Sequence, residues 1–441
     1  MMKDTPHSFS LLTHGVIEHE RRLRVRDGYD VVVCGGGPAG VGAALAAARE
    51  GARTLLLERF AQLGGMWTAG LLNPFFECFD RGYVVQDLTD RLDAADAWRK
   101  WFFAATFNPE IMRLTLEQMM QEAGVDLLYY TMAVDSIRED NQMRGVVIES
   151  KAGREAVLAK VVIDATGDGD LAARSGCGYE IGRDADGLVQ PATLMFEIRG
   201  ASHFDQKSAL PLFDQMQAAI NEHNLPYQMP IPRTNAAPWI VTLPGHDTSA
   251  VQVTHVFRIN PIDPADLTRA TVEGRKQAHE MFDVLRHVQS FENIEMIHAA
   301  STVGVRESRR IDGMYRMEYD DLMKGRRFQD AVTTCGFCVD IHDPDPDSKI
   351  PTNHEAKMQP YEIPYRSQLP KDIDGLLLAG RCISGSHVAH ASYRVTGTAM
   401  ALGQAAGLAA SQAVQAGKSV HEIDGTQLRG ALVERGVGLL D

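Results

Sequence analysis

Residues 30–58 constrain the fold more than any other part of this sequence. They contain, in order, a short apolar run, a cluster of glycines, an alanine-rich segment of helical composition, a second apolar run and Glu58. This order predicts a strand, a tight turn, a helix and a second strand that ends at the acid. Such a unit is typical of an α/β fold.

The spaced glycines of this unit each have a mechanical role. Gly35 permits the tight turn, Gly37 lets the backbone approach a pyrophosphate, and Gly40 lets the helix pack close to the sheet. The helix amino terminus offers free N–H groups and a positive dipole end to phosphates. Glu58 stands where an acid binds a ribose diol. We therefore predict dinucleotide binding, and these residues alone leave NAD and FAD open.

Length and composition indicate a globular protein of more than one domain. Two domains are expected for 441 residues, and 44% hydrophobic and 23% charged residues are globular values. The formal net charge of −14 argues against nucleic acid or an anionic membrane surface as the main partner. A small-molecule substrate stays open, because a local pocket can carry the opposite charge.

The lack of an apolar targeting or membrane segment and the spacing of the cysteines favour a cytoplasmic location. The sequence has no apolar run long enough for a membrane span, and residues 1–27 hold no apolar core of the signal-peptide kind. The 6 cysteines are scattered rather than arranged as a disulfide framework. These features predict a reduced, cytoplasmic protein.

Two further segments repeat the pattern of an apolar run followed by a glycine turn. Residues 161–170 read VVIDATGDGD, and residues 376–381 read LLLAGR. We expect both turns to contact the same nucleotide as the first one. The region between them is rich in proline and histidine, which indicates an inserted domain of mixed sheet and helix.

The predicted fold class is therefore α/β, with a Rossmann-like domain that is discontinuous in sequence. We place an amino-terminal arm at residues 1–28, the nucleotide-binding domain at 29–177 and 360–441, and an inserted α+β substrate or cap domain at 178–359. Apolar spacing predicts helices at 109–123 and 265–288. A loop is expected at 382–392, before a helix of small residues.

The motifs together resemble those of the bacterial FAD-dependent oxidoreductases, which share the glutathione-reductase-like fold with two dinucleotide-binding domains and are distantly related to fumarate reductase flavoproteins. The segments that carry this resemblance are GGGPAGVGAALAAAREG, LGGMWTAG, IDATGDGDLAARSG, VGVRESRRIDG and LLLAGRCISGSHVAHASYRVTGTAMALGQAAG. The resemblance extends from Tyr29 to Gly436. It implies that FAD is the cofactor.

The resemblance also implies which residues contact FAD. At the pyrophosphate and adenosine ribose they are Gly35, Gly37, Pro38, Ala39, Gly40, Glu58 and Arg59. Beside the adenine and pyrophosphate they are Ala165, Thr166, Gly167 and Asp168. Towards the ribityl chain and flavin they are Gly64, Gly65, Met66, Gly380 and Arg381. The helix that opens with Gly397, Thr398 and Ala399 should direct its amino terminus at flavin N1 and O2, where its dipole stabilises negative charge.

A single dinucleotide fingerprint is present, whereas a disulfide reductase of this broad fold needs a second one for NAD(P)H. We therefore expect FAD to meet a small organic substrate directly and to exchange a hydride with it at flavin N5. The electron acceptor stays open between oxygen, a quinone and a carrier protein. One alternative is a flavoprotein electron-transfer subunit of a complex. The class of protein suggests a homo-oligomer.

Catalytic candidates precede the flavin-facing helix. His387 and His390 are candidates for the base that takes a proton, with His390 preferred, and Arg394 is a candidate to hold a carboxylate. The alternative is that the histidines satisfy loop backbone and that Arg394 braces the fold.

A second candidate segment is RESRR, at residues 306–310. Its three arginines are suited to an anionic substrate. Alternatively, Arg306 and Glu307 form a buried structural pair at the domain junction, and we favour this interpretation.

Cys335 and Cys338 form a lone CxxC pair, so thiol–disulfide chemistry is a further alternative. No second CxxC exists, and we interpret the spacing as coincidence. Residues 342–347, HDPDPD, are interpreted as an acidic turn. No metal site and no iron–sulfur module are expected.

Overall fold

A computed structural model describes residues 9–12, 15–18, 20–204, 209–233, 238–347 and 359–440. Its strands are β1 (Phe9–Leu12), β2 (Gly15–Glu18), β3 (Arg24–Cys34), β4 (Thr54–Leu57), β5 (Phe75–Phe76), β6 (Trp98–Trp101), β7 (Ala104–Phe107), β8 (Asp126–Leu128), β9 (Met132–Glu139), β10 (Gln142–Ser150), β11 (Gly153–Asp164), β12 (Tyr179–Ile181), β13 (Phe196–Arg199), β14 (Trp239–Thr242), β15 (Thr248–Gln252), β16 (Glu295–Ala299), β17 (Arg309–Ile311), β18 (Ala331–Cys335), β19 (Tyr361–Pro364) and β20 (Leu376–Leu378). Its helices are α1 (Pro38–Arg49), α2 (Tyr83–Ala94), α3 (Pro109–Ala123), α4 (Asp170–Arg174), α5 (Ala209–Glu222), α6 (Pro264–Leu285), α7 (Tyr319–Met323), α8 (His387–Tyr393), α9 (Thr396–Ala416) and α10 (Gly425–Glu434).

The largest sheet carries the predicted strand–turn–helix–strand unit at its centre. Its order is β8-β4-β3-β11-β10-β9, and β20 also pairs with β11. The strands β8, β4, β3, β11 and β20 run parallel, whereas β10 pairs antiparallel with both β11 and β9. The central parallel segments, residues 31–34, 54–57, 161–164 and 376–378, are buried, as expected for a sheet that is covered on both faces, whereas the edge strand β8 is partly exposed. The predicted α/β fold class is confirmed.

Two helices of small residues, α1 and α9, pack against each other with their backbones in contact. A Cβ atom added to Gly403 of α9 would lie 1.9 Å from the carbonyl oxygen of Ala39 in α1. One added to Gly407 would lie 2.2 Å from the carbonyl oxygen of Ala43. Only glycine allows this approach, so the small residues of α9 serve packing inside the protein.

Two strands of the large sheet are longer than the sequence patterns indicated. The apolar run that starts at residue 161 is the last part of a longer strand, β11, which begins at Gly153. Its partner β3 begins at Arg24, inside the segment that we interpreted as an arm, and the register runs from Arg24↔Glu155 to Cys34↔Asp164. The first half of β11 therefore lies between β3, to which it is parallel, and β10, to which it is antiparallel.

A second hydrophobic core forms between residues 189 and 303, with Leu71 added from the first part of the chain. Its sheet has the order β14-β15-β13-β16 and is antiparallel throughout. The chain enters through β12 and returns through β17, and these two strands pair with each other. From Ile311 to Val339, buried residues belong to the first core again. The domain limits at 178 and 359 stay a prediction.

Helix predictions from apolar spacing are confirmed, and one loop prediction is wrong. Helix α3 has the predicted limits, and α6 spans Pro264–Leu285 against the predicted 265–288. Within the expected loop at 382–392 the chain forms α8, whose amino terminus is capped by Ser386 Oγ, which accepts a bond from the N–H of Ala389 at 3.4 Å. None of the helices in the described part of the chain is both long and apolar enough to cross a membrane.

Candidate active site

A cavity lies beyond the carboxyl ends of β3, β4, β11 and β20. One side consists of the turns that follow these strands, and the other consists of residues from the second core and the segment after it, including Thr193, Met195, Gln252 and 302–306. In open parallel sheets, ligands bind at this edge. The arrangement brings the three glycine turns together, although they are far apart in sequence.

Most of the residues predicted to contact the cofactor line this cavity. They are Gly35, Gly37, Pro38, Ala39, Glu58, Arg59, Gly65, Met66, Ala165, Thr166, Gly167, Asp168, Gly380, Arg381 and Ala399. The remaining four, Gly40, Gly64, Gly397 and Thr398, do not line it. A Cβ atom added to Gly40 or to Gly397 would meet the backbone of Gly35 or of Phe76, which are residues of the cavity wall.

The first glycine turn presents open backbone to the cavity. A Cβ atom at Gly40 would lie 1.7 Å from the carbonyl oxygen of Gly35, so Gly40 supports the turn from behind. At Gly37 an added Cβ would meet nothing within 4 Å. Gly37 is also the N-cap of α1, and no side chain caps that helix. The first N–H groups of α1 are therefore available to an anion in the cavity.

Glu58 stands at the end of β4 and is buried. Its carboxylate accepts hydrogen bonds from the N–H of Gly36 at 2.7 Å and from the N–H of Phe60 at 2.8 Å. Burial raises the pKa of this carboxyl, and the two backbone bonds oppose the rise. The side chain joins the first glycine turn to the segment after β4.

The turn after β11 is held by two carboxylates with different tasks. Asp164 is fully buried and accepts bonds from the N–H and hydroxyl of Thr166 and the N–H of Ala172. Burial raises its pKa, and those bonds lower it. Asp168 accepts bonds from Ser308 Oγ at 2.7 Å and Arg381 Nη2 at 2.9 Å. Arg381 Nη1 is buried at the cavity and has no hydrogen-bond partner in the described part of the chain.

The amino terminus of α9 faces the same cavity. Val395, Thr396 and Ala399 line it, and no side chain caps the helix. The hydroxyl of Thr396 is buried and has no partner among the described groups. Thr398 instead turns inward, and its hydroxyl donates to Cys335 Sγ at 3.7 Å. The helix therefore offers free N–H groups and one unused hydroxyl to a ligand.

The candidate histidines of α8 lie outside the cavity wall. His387 Nδ1 is 2.8 Å from Glu307 Oε1, in a buried pair. His390 is completely buried, and neither ring nitrogen has a hydrogen-bond partner among the residues that the structure describes. Burial, aided by the charges of Arg310 and Arg394, holds the pKa of His390 well below its usual value. Neither side chain faces the site where a substrate would bind.

Arg306 and Arg394 do line the cavity. Arg306 does not pair with Glu307 as we expected: its Nη1 donates to the carbonyl oxygen of Pro191 and to Thr193 Oγ1, both at 2.7 Å. Glu307 instead pairs with Arg310 and with His387. The buried ion pair within this segment is thus Glu307–Arg310, and the side chain of Arg306 lines the cavity.

A cluster of charged and imidazole groups completes the end of the cavity beside Arg306. Arg394 Nη2 is 3.0 Å from Asp340 Oδ2, and His342 Nε2 is 3.4 Å from Asp340 Oδ1. His342 Nδ1 is 2.8 Å from His255 Nε2, and the second nitrogen of His255 is buried without a partner. Asp340 and His342 line the cavity, whereas His255 lies behind them.

The electrostatics of this cluster keep both histidines neutral. Burial and the charge of Arg306 lower the pKa of His342 to about 4, against the pull of Asp340. Burial, Arg306 and His342 hold the pKa of His255 well below its usual value. Burial raises the pKa of Asp340, but His342, Arg394 and Arg306 outweigh it, so the pKa lies below its ordinary range. At neutral pH Asp340 is an anion beside a neutral imidazole.

Our sequence analysis missed Asp340 and interpreted His342 as part of an acidic turn. Their partners Arg306 and His255 are distant in sequence, and no local pattern predicts those contacts.

The CxxC cysteines carry no sign of thiol activation. All six cysteines are free, and Cys335 is buried against Thr398 and Ser392. Burial raises the pKa of Cys335, and burial together with Asp340 raises that of Cys338 to about 11. A reactive thiol needs the opposite shift.

The residues of the cavity fit FAD. Uncapped helix ends, the open backbone at Gly37 and the unpartnered Arg381 Nη1 suit a diphosphate. Glu58 suits a ribose diol, and the α9 end with the Thr396 hydroxyl suits a polar ring edge. Within the described residues, no group of three or more His, Cys, Asp or Glu side chains is arranged to hold a metal ion.

Comparison with curated proteins finds partial similarities. A thiamine thiazole synthase of Methanococcus vannielii is 32% identical over 155 residues, which cover 31% of this chain and 56% of that protein. Digeranylgeranylglycerophospholipid reductase 2 of Methanothermobacter thermautotrophicus is 33% identical over 171 residues, or 36% of this chain and 44% of that one. The chain thus spans about half the length of the curated relatives it matches.

Solved structures with an overall likeness share little sequence. A geranylgeranyl bacteriochlorophyll reductase-like protein from Thermoplasma acidophilum has a TM-score of 0.48 and 14% identity, and covers 93% of this chain and 84% of its own. A flavin-dependent brominase also has a TM-score of 0.48 and 14% identity, over 93% of this chain and 83% of its own.

The family assignment covers most of the molecule. A family model described as FAD dependent oxidoreductase matches residues 30–432, from the first parallel strand to the last helix. The match confirms the predicted cofactor, FAD, and the predicted class, an oxidoreductase enzyme. With its glycine turns, its acid after β4 and its match over nearly the whole chain, this protein belongs to the FAD dependent oxidoreductase family.

Proposed function

We propose that this enzyme transfers a hydride between a small organic substrate and flavin N5 of FAD in the cavity described above. The observation that supports the proposal is that one cavity joins the three glycine turns to Arg306, Asp340, His342 and Arg394. The glycine turns that would bind the nucleotide and the polar side chains that would act on the substrate thus line the same cavity. No separate NAD(P)H domain is needed, since the sequence holds one dinucleotide fingerprint.

The proposed cofactor contacts follow from the available hydrogen-bond donors of the cavity and from one acceptor, Glu58. The amino terminus of α1 and Arg381 would bind the diphosphate, and Glu58 would bind the adenosine ribose. The amino terminus of α9, with Thr396, would lie at the pyrimidine edge of the flavin. FAD in that position supplies a two-electron acceptor to a substrate held beside it.

His342 is the proposed proton acceptor. It lines the cavity, it is neutral at pH 7, and Asp340 is placed to stabilise the imidazolium that forms when a proton arrives. The proposal requires the tautomer in which Nδ1–H donates to His255 Nε2, so that Nε2 carries the free lone pair. Arg394 positions Asp340 through its bond of 3.0 Å.

The role that we expected of His387 or His390 is therefore transferred to His342. His387 is engaged by Glu307, and His390 lies in a closed interior with no polar partner. A general base must come within hydrogen-bond reach of the proton it takes, and the cavity wall provides that reach for His342.

The test is anaerobic reduction of the bound flavin by each member of a panel of small metabolites. Reduction is measured as the loss of absorbance at about 450 nm. Once a reducing compound is found, His342→Gln should slow flavin reduction about 100-fold or more, the usual contribution of a general base. His298→Gln, at an exposed site in β16, is the matched control and should retain the wild-type rate.

The pH profile gives a second measurement. The base must be unprotonated, so the rate of reduction should rise with pH around a pKa of about 4 and be flat above it. If no small molecule reduces the flavin and a partner protein does, the enzyme is an electron-transfer subunit and the proposal fails. If His387→Gln or His390→Gln abolishes reduction while His342→Gln does not, the assignment of the base is wrong.

A further inference from the structure

Arg306 is a buried cation whose charge has no direct counter-ion. The residue is 9% exposed, and its Nη1 bonds a backbone carbonyl and a hydroxyl, both of them uncharged groups. Among the described residues no carboxylate lies within salt-bridge distance of it. Burying a cation without a counter-ion costs free energy. An anionic ligand bound next to Arg306 would recover part of that free energy.

The neighbours of Arg306 leave this end of the cavity positive. Arg394 carries a second positive charge, and Asp340 supplies the single carboxylate, already bound to Arg394. His342 and His255 are neutral at pH 7. Repulsion by Arg394, added to burial, lowers the pKa of Arg306 to about 9, which still leaves it protonated. The balance is one excess positive charge in a site that holds no second acid from the described residues.

The other charged groups of the cavity wall are engaged elsewhere. Arg59 follows β4 and lies over the ring of Phe60. Arg381 pairs with Asp168, and Asp170 pairs with Arg309, which is not part of the wall; both pairs lie at the turn after β11. These pairs belong to the nucleotide side. The excess charge is therefore local to Arg306, in a cavity that the apolar side chains of Phe76, Phe337 and Met195 also line.

We propose that Arg306 binds the carboxylate of the substrate, which makes the substrate class a small organic acid with a hydroxyl or amine near its carboxylate. A guanidinium is suited to this task because it can bind both oxygens of a carboxylate. The apolar side chains would contact the carbon skeleton. This inference rests on the proposed function and specifies its substrate.

The chemistry balances with the groups already described. The C–H bond next to the hydroxyl or amine breaks, and its hydrogen leaves with the electron pair to oxidised FAD. The O–H or N–H proton passes to His342 Nε2. The substrate gains a C=O or C=N double bond, and its carboxylate stays on Arg306 throughout. Binding the carboxylate at one wall and accepting the proton at the same wall sets the orientation of the C–H bond.

The experiment uses the oxidised holoenzyme and pairs of acids and their primary amides: lactate with lactamide, mandelate with mandelamide, and benzoate with benzamide. Binding is read from the perturbation of the flavin spectrum, which does not require turnover. The acids should bind, and the amides should bind at least about tenfold more weakly, the effect of removing one charged hydrogen-bond partner.

Variants identify the residue. Arg306→Gln should weaken acid binding at least about tenfold and abolish the preference over the amide. Arg306→Lys keeps the charge and should retain part of the preference, which separates recognition from folding. Arg199→Gln, an exposed arginine in β13 of the same core, is the matched control and should bind as the wild type does. Flavin content of each variant verifies that the fold is intact.

The outcomes for this inference and for the proposed function are distinct. Equal binding of acids and amides, or wild-type acid affinity in Arg306→Gln, overturns the carboxylate assignment. Reduction of the flavin by neutral compounds alone would do the same, and would leave the hydride-transfer function standing. Acid binding through Arg306 without flavin reduction by any small molecule would refute the hydride-transfer function and leave an anion site.

Discussion

Glu58 and Gly36 are joined by a hydrogen bond of 2.7 Å from the backbone N–H of Gly36 to Glu58 Oε2. The other oxygen, Oε1, accepts the N–H of Phe60 at 2.8 Å. The carboxylate thus satisfies two backbone donors, one in the first glycine turn and one in the segment after β4. An amide has a single acceptor oxygen, and it cannot serve both donors.

Replacing Glu58 by glutamine should therefore loosen the nucleotide end of the site. One backbone N–H would face an NH₂ group, at a cost of about 1–3 kcal/mol, and the ribose would lose a charged acceptor. We expect FAD affinity to fall about tenfold or more, measured by the recovery of flavin fluorescence on dilution. Glu110→Gln, at an exposed side chain of α3, is the control and should leave affinity unchanged. Equal affinities in both variants would contradict the assignment.

Gly407→Ala should destabilise the protein through the contact between α1 and α9. The new methyl would lie 2.2 Å from the carbonyl oxygen of Ala43, so the helices would have to separate. We expect a loss of about 1–3 kcal/mol in the free energy of unfolding, measured by denaturant titration.

The matched control is Gly430→Ala in α10. A Cβ atom there would meet nothing within 4 Å, and alanine is the better helix former. This variant should be more stable than the wild type by about 0.5–1 kcal/mol. Stabilisation by both substitutions would contradict the close contact between Gly407 and the carbonyl oxygen of Ala43.

His390→Leu should leave flavin reduction nearly unchanged and should make the protein less sensitive to acid. The folded-state pKa of His390 lies well below its unfolded value near 6.5. Below that pH the unfolded chain binds a proton that the folded state does not, so stability falls as pH falls. Leucine removes this contribution, which grows by up to about 1.4 kcal/mol per pH unit.

The measurement is the unfolding temperature of the variant and the wild type between pH 7 and pH 5. The difference should move in favour of His390→Leu as pH decreases. A constant difference would mean that His390 has the same pKa in the folded and unfolded states. Loss of flavin reduction in a well-folded variant would restore His390 as a catalytic candidate.

Cys338→Ser should retain full turnover. Burial and the nearby Asp340 raise the pKa of this thiol to about 11, so almost none of it is thiolate at pH 7. The thiolate is the reactive form in disulfide exchange. We expect slow reaction with thiol reagents in the native protein and an unchanged rate of flavin reduction. Abolished turnover would favour the disulfide-enzyme alternative.

Local sequence predicted the strands, helix and turn that form the glycine-turn side of the cavity, because their geometry depends on neighbours in the chain. The turn from Gly35 to Gly40 needs glycine for steric reasons that hold in any protein with this turn. Helix α3 has its predicted limits because Asn108 caps it and apolar spacing continues to Ala123. Such signals act within a few residues.

The substrate side could not be predicted in the same way. Arg306 and Glu307 are adjacent, and a direct pair was the simplest interpretation. The structure separates them, because the neighbouring backbone directs Arg306 to Pro191 and Thr193 and brings His387 and Arg310 to Glu307. Each of these contacts depends on how the second core folds over the sheet. Helix α8 was missed for a different reason: its seven residues are buried on nearly all sides and show no amphipathic spacing.

The contact between α1 and α9 has a consequence for how the two halves of the cofactor influence each other. One helix begins at the proposed diphosphate site, and the other begins at the proposed flavin edge. Since their backbones touch at Gly403 and Gly407, a displacement of one helix displaces the other. The strength of nucleotide binding and the reduction potential of the flavin should then be thermodynamically linked, so that a substitution at one end changes a property measured at the other.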